Sequence, residues 1–158
     1  VRCAFLTLAL LALAVPAAAL MPEVPLDRLA TESDAIVHAR VTGLGSRWTE
    51  DHATIVTDVS LTVVEGWAGA YRAGDRLELT VEGGEVGDQG IRTEHQPRFR
   101  PGEETVLFLV ATPAARWRVL ALEQGKFTLR QGEALDFRGR TLPLATLRAT
   151  VSGLRSVR

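Results

Sequence analysis

The sequence predicts a mainly β protein, a small antiparallel barrel with one C-terminal helix packed on it. Three observations lead there. Residues 55–63 and 77–81 alternate apolar and polar side chains with a period of two. Residues 106–110 are apolar without interruption, so both faces of that strand must be covered. Leu144, Leu147, Val151 and Leu154 recur at helical spacing after Pro143, a residue suited to a first helical turn. Five to seven short strands separated by glycine-rich turns, with no internal repeat, fit a barrel; a two-sheet sandwich is the alternative.

The chain begins with Arg2, an apolar run over residues 4–15, then Pro16 and the small residues Ala17, Ala18 and Ala19. A charged start, a short apolar centre and an Ala-x-Ala end describe a cleavable secretory leader over residues 1–19. About twelve apolar residues are too few to cross a bilayer, which takes roughly twenty. The expected mature chain is therefore secreted or periplasmic, with no membrane insertion. Its only cysteine, Cys3, leaves with the leader, so stability must come from packing without disulfides. About 140 residues suffice for one domain with its own core.

Of 18 basic and 19 acidic residues, Arg2 goes with the leader, which leaves a formal charge of −2. A net acidic chain argues against nucleic acid as a partner. The expected partner is an extracytoplasmic protein or glycan, met by a monomer. Lys126 is the only lysine, and there is no asparagine to glycosylate.

Along the mature chain, residues 20–32 read as an extended lead-in in which Pro25 opens a short helical turn carrying Leu26 and Leu29. Val37, Ala39 and Val41 then alternate with His38, Arg40 and Thr42, a half-buried strand that Gly43, Gly45 and Ser46 are expected to break. The next strand, residues 54–65, is long for a class whose usual length is about five or six. Long curved strands belong to small closed barrels, where one strand serves both halves of the wall. Gly66, Gly69 and Gly74-Asp75 form a turn, and Leu77, Leu79 and Val81 mark the third strand. Residues 105–110 are the fourth, with the C-terminal helix as its cover. Residues 117–122 and 126–130 are two more, and residues 134–137 with 141–142 form a small hairpin. The barrel spans residues 33–142 and the helix residues 143–155.

The run Ser33-Asp34-Ala35-Ile36-Val37-His38-Ala39-Arg40-Val41 is followed by a long strand ending Val63-Val64-Glu65-Gly66. Gly74-Asp75-Arg76-Leu77 and Gly102-Glu103-Glu104-Thr105-Val106-Leu107-Phe108-Leu109 come next. In strand order and turn position this stretch, about residues 33–122, resembles the oligonucleotide/oligosaccharide-binding (OB) barrel of netrin-like modules. Tissue inhibitors of metalloproteinases are members, and exported bacterial proteins share the order. The resemblance implies an OB-like fold. It does not carry the inhibitory activity, because those inhibitors ligate the target's zinc through an N-terminal cysteine, and this mature chain offers Leu20-Met21-Pro22.

Residues 83–104, between the third and fourth strands, form a long segment for a compact domain, and such loops usually have a purpose. Ordering it costs roughly 1–2 kcal/mol per residue in backbone entropy, against about 1.5–3 kcal/mol returned by each of Val86, Ile91 and Phe99 when buried. It is mobile unless hydrogen bonds or a partner hold it. It is the expected rim of a binding surface, with Arg92, Arg98, Phe99 and Arg100 as contacts and the strand face bearing His38 and Arg40 beside it. The arginines suit carboxylates or phosphates, though Glu85, Asp88, Glu94, Glu103 and Glu104 lie close enough in sequence to neutralise them. Trp48 is a candidate stacking ring at a strand end, where indoles more often cap a barrel core.

No nucleophile elbow, Walker sequence or dinucleotide fingerprint occurs, and His38, His52 and His95 have no zinc spacing. No cofactor, metal or catalytic residue is expected. The function expected is a non-catalytic binding or interaction module. A secreted protease inhibitor acting through a loop is the alternative, and a hydrolase using scattered carboxylates such as Glu82 and Glu85 comes after it.

Overall fold

The computed structural model describes residues 21–113 and 116–156. The expected leader lies outside them. Pro25, extended at φ −69°, leads into helix α1 (Leu26–Glu32). The strands are β1 (Ala35–Trp48), β2 (Ile55–Ala68), β3 (Arg76–Glu82), β4 (Gly84–Val86), β5 (Gln89–Ile91), β6 (Glu104–Ala111), β7 (Trp117–Val119), β8 (Lys126–Arg130), β9 (Glu133–Leu135) and β10 (Thr141–Pro143). A 3-10 turn (Leu122–Gly125) separates β7 from β8, and helix α2 (Leu144–Ser156) ends the chain.

Five strands close a barrel in the order β1-β2-β3-β7-β6, with β6 returning to β1. Every pairing is antiparallel except β3 with β7, which is parallel through Leu79 and Trp117. The barrel is thus mixed, where the alternation led to a purely antiparallel one. β7 and β8 share one edge of β6, and β8 carries the sheet outward to β9 and β10.

β1 runs through Gly43, Gly45 and Ser46 instead of stopping there. Val41 faces Leu61 and Gly43 faces Ser60, so Thr42 is an extra residue in the ladder, and its hydroxyl donates to the Ser60 carbonyl at 3.1 Å. A bulge of this kind bends a strand and resets which side chains point inward. Val37, Ala39 and Val41 face the barrel interior before it; Leu44 and Ser46 take that side after it. The β2 ladder is irregular in the same way around Val64 and Trp67. Gly66 accordingly lies within β2 and not in the turn.

Two apolar clusters hold the molecule. Inside the barrel, Val37, Val41, Val59, Leu61, Val63, Leu77, Leu79, Leu107 and Leu109 pack together, with Tyr71 and Trp117 edge to face at 5.8 Å. Outside it, Ile36, Val106, Phe108 and Phe127 meet Leu29 and Ala30 of α1 and Leu147 and Val151 of α2. The uninterrupted run of β6 is explained: Leu107 and Leu109 enter the barrel while Val106 and Phe108 enter the outer layer. The cover is shared, because α1 lies beside α2. Arg155 of α2 donates to the carbonyls of Ala30 (2.9 Å) and Ser33 (3.0 Å), which satisfies acceptors at the end of α1. Among the described residues no helix is long and apolar enough to cross a membrane.

Candidate functional site

At one end of the barrel the interior-facing stripe runs past the packed core. Leu44 and Ser46 of β1, Thr57 and Val59 of β2 and Val81 of β3 line one wall of an open cleft of about 660 Å³. The other wall is the segment after β3, and barrel mouths are a recurrent place for ligands. That segment is partly ordered by its own hairpin, in which β4 and β5 pair Gly84 with Ile91 and Val86 with Gln89.

Close approach fixes the hairpin on the barrel. The Thr57 hydroxyl donates to the Gly83 carbonyl at 2.7 Å and lies 2.9 Å from the Ser46 hydroxyl. Gly84, at φ +144°, sits over both: a Cβ there would come within 2.4 Å of the Thr57 oxygen and 2.5 Å of the Ser46 oxygen. Only glycine accommodates that backbone and that contact. Further on, His95 Nδ1 lies 2.9 Å from Glu123 Oε1, and its carbonyl accepts from the Glu123 amide. The segment expected to be mobile is therefore tied at its start, middle and end.

Its end is tied by an ion pair. Lys126 Nζ lies 2.7 Å from Glu103 Oε1, donates to the Thr128 hydroxyl at 2.9 Å and stands 5.1 Å from the centroid of the Phe99 ring. Glu103 Oε1, shut off from water, has the ammonium as its partner, and hydrogen bonding and charge both favour the protonated lysine. Burial pushes the Lys126 ammonium below its ordinary range, and Glu103 opposes that only in part.

Of the residues singled out in the sequence, Arg92, Arg98 and Phe99 come together on the cleft wall. His38, Arg40, Trp48 and Arg100 do not line it. His38 Nε2 lies 3.0 Å from Glu104, which also accepts a hydrogen bond from Arg40. Those bonds, Arg40 first and then His38, hold the Glu104 carboxyl below its usual range. Trp48 lies at the end of β1, tilted against His52 at 6.2 Å. Trp67 packs in the outer layer and donates to Glu65. Arg100 is exposed, near enough to Lys126 to weigh slightly on its charge.

The expected neutralisation within the segment does not occur. Glu103 goes to Lys126, and Glu104 to His38 and Arg40, all outside it. Arg92 and Arg98 make no ion pair or side-chain hydrogen bond among the described residues, and neither do Glu82 and Glu85 on the same cleft. The contributions of Leu44, Ser46 and Thr57 were hidden in the sequence because the bulge at Thr42 decides which way β1 faces.

A second charged centre is structural. Asp58 accepts from Arg47 at 2.6 Å and Thr80 at 2.7 Å, with Arg116 at 3.3 Å. Burial raises its pKa, but these hydrogen bonds and charges outweigh burial and hold the carboxyl low. Among the described residues no three His, Cys, Asp or Glu side chains are placed to hold a metal ion. A smaller cleft of about 240 Å³ lies between the lead-in to α1 and the β9–β10 hairpin. No family model matches the chain, and no curated protein is significantly similar to it.

Proposed function

We propose that the chain is an exported, non-catalytic binding module on a barrel of the OB type, and that the cleft at the barrel mouth is its binding surface. The barrel order, with β7 inserted between β3 and β6, is a Greek-key closure of five strands, in keeping with that fold. The observation that carries the reading is the cleft itself: an apolar floor edged by Arg92, Arg98, Glu82 and Glu85, none of which is paired among the described residues. Pockets that bind combine mainly apolar walls with a few convergent polar groups.

A fragment screen followed by amide chemical-shift mapping tests it. Shifts are expected to concentrate at Leu44, Thr57, Gly84 and Ile91. Shifts confined to His38 and Arg40, or to Trp48, would refute the assignment of the site.

The exposed turn of the β4–β5 hairpin, Gly87 and Asp88, favours one alternative, a protease inhibitor that inserts this tip into its target. Deleting residues 84–90 would abolish inhibition of a susceptible protease in that case, with the barrel still folded.

A further inference from the structure

Taking the barrel-mouth cleft as the binding surface, we propose that its ligand is an extended polypeptide segment. The segment offers its main-chain carbonyls to the amides on either side of the Glu94–His95 turn, Arg92 and Thr93 before it and Arg98 and Phe99 after it, and seats an apolar side chain on the floor formed by Val59, Val81 and Phe99.

The backbone argues for it first. Beyond β5, the amides of Arg92, Thr93, Gln96, Arg98 and Phe99 donate to no group in the protein among the described residues. All five residues lie on the cleft wall. The Glu94–His95 turn, with His95 at φ +59°, and Pro97, which has no amide, keep the stretch from being one continuous strand edge, but short runs of unpaired donors beside an apolar trough suit the carbonyls of an extended main chain, with the trough supplying side-chain specificity.

Charge points the same way. Arg92 and Arg98 offer two guanidinium groups and Glu82 and Glu85 two carboxylates, all unpaired among the described residues, so the rim is balanced. A balanced rim suits a peptide bearing both signs and gives no advantage to a polyanion.

The aromatic inventory disfavours a glycan. Sugar rings are held by stacking on open aromatic faces, and none of Trp48, Trp67 and Trp117 lines the cleft. Its one ring, Phe99, already has the Lys126 ammonium near its face.

The test pans the purified full chain against displayed random twelve-residue peptides, with a glycan array in parallel. Selected peptides are expected to lose about tenfold or more in affinity for Arg92→Ala/Arg98→Ala, since each lost charge-assisted bond is of that order. They should bind the charge-matched control Arg118→Ala/Arg130→Ala unchanged. All four side chains are exposed, and an unchanged melting temperature certifies the fold. Replacing single peptide amide links by esters, whose carbonyl is a weaker acceptor, should weaken binding at the few positions seated against these amides.

Binding indifferent to ester replacement at every position would overturn the proposal, as would failure to select any peptide. Glycans that bind and shift the cleft amides, with no peptide selected, would remove the peptide and leave the cleft standing. Peptides that bind without sensing the arginine variants, and whose shifts map elsewhere, would remove both.

Discussion

Lys126 and Glu103 offer the sharpest test of how the cleft wall is held. Their side chains retain 8% and 14% of their exposure, so neither charge is well hydrated, and burial holds the lysine low even with the carboxylate at 2.7 Å. Replacing Lys126 by Met leaves Glu103 without its cation. Removing one partner of a buried pair typically costs about 3–5 kcal/mol. Glu103 keeps some contact with water, so we expect the lower end, about 3 kcal/mol. For a domain of this size that is a fall of roughly 10 °C in melting temperature. Glu103→Leu should cost a similar amount. The pair Lys126→Met/Glu103→Leu should restore stability to within about 1 kcal/mol of the parent, because apolar replacement of a whole buried pair is often neutral or stabilising. Methionine also keeps a favourable sulfur contact with the Phe99 ring. Urea unfolding of the four proteins gives the coupling energy directly. Single variants that each cost under about 0.5 kcal/mol, or costs that simply add, would refute the account. The pH dependence supplies a second reading of the same pair. The folded lysine titrates below its ordinary 10.5, so the unfolded chain holds more protons between the lowered value and 10.5. Stability of the parent therefore rises with pH across that window, and Lys126→Met abolishes the rise.

Phe108 is fully buried between the barrel and the helices, 5.8 Å from Phe127, and Phe108→Ala should cost about 3–5 kcal/mol in urea unfolding, a cost that collapse of the layer around it cannot recover. Glu104 titrates below its ordinary 4.5, so its contribution is present above that value and is lost as pH falls through the lowered one; Glu104→Gln should flatten the acid limb of melting temperature against pH below about pH 5. Gly84→Ala combines an unfavourable φ, about 1–3 kcal/mol, with a Cβ inside contact distance of Thr57 and Ser46. It should free the β4–β5 hairpin, seen as faster amide exchange at Val86 and Ile91, while the β1–β2 amides keep their protection.

Period-two alternation located β2 and β3 because each has one face in the barrel, and the apolar run of β6 announced two covered faces. The spacing of Leu147 and Val151 announced what covers the outer one. None of these signals contains a strand's partner or direction. The parallel contact of Leu79 with Trp117 depends on where a strand some forty residues later is delivered, and alternation is blind to that. Gly43 and Gly45 read as a break because glycine is poor in strands. In the fold they follow a bulge, and the register to Trp48 is kept by β2, a long-range partner. The cleft was half legible for the same reason. Arg92, Arg98 and Phe99 stood out as a cluster in one long segment, but Leu44, Ser46 and Thr57 join them only through the register shift at Thr42.

That shift also explains why the barrel has an open mouth. Without the extra residue, Gly43 and Gly45 would occupy the inward positions after Val41, and two residues without side chains would leave the upper wall empty. With it, Leu44 and Ser46 turn inward at a level above the packed layer, where β3 is ending and β7 reaches β3 through one residue pair. A wall of five strands cannot be completed there, and the β4–β5 hairpin bridges the gap through Gly83 and Gly84 instead of through a sixth strand. The hairpin satisfies the hydroxyls of β1 and β2 but leaves the segment after it without a ladder partner. The same residue that bends β1 therefore opens the trough, and the trough is edged by chain several of whose amides donate to nothing among the described residues.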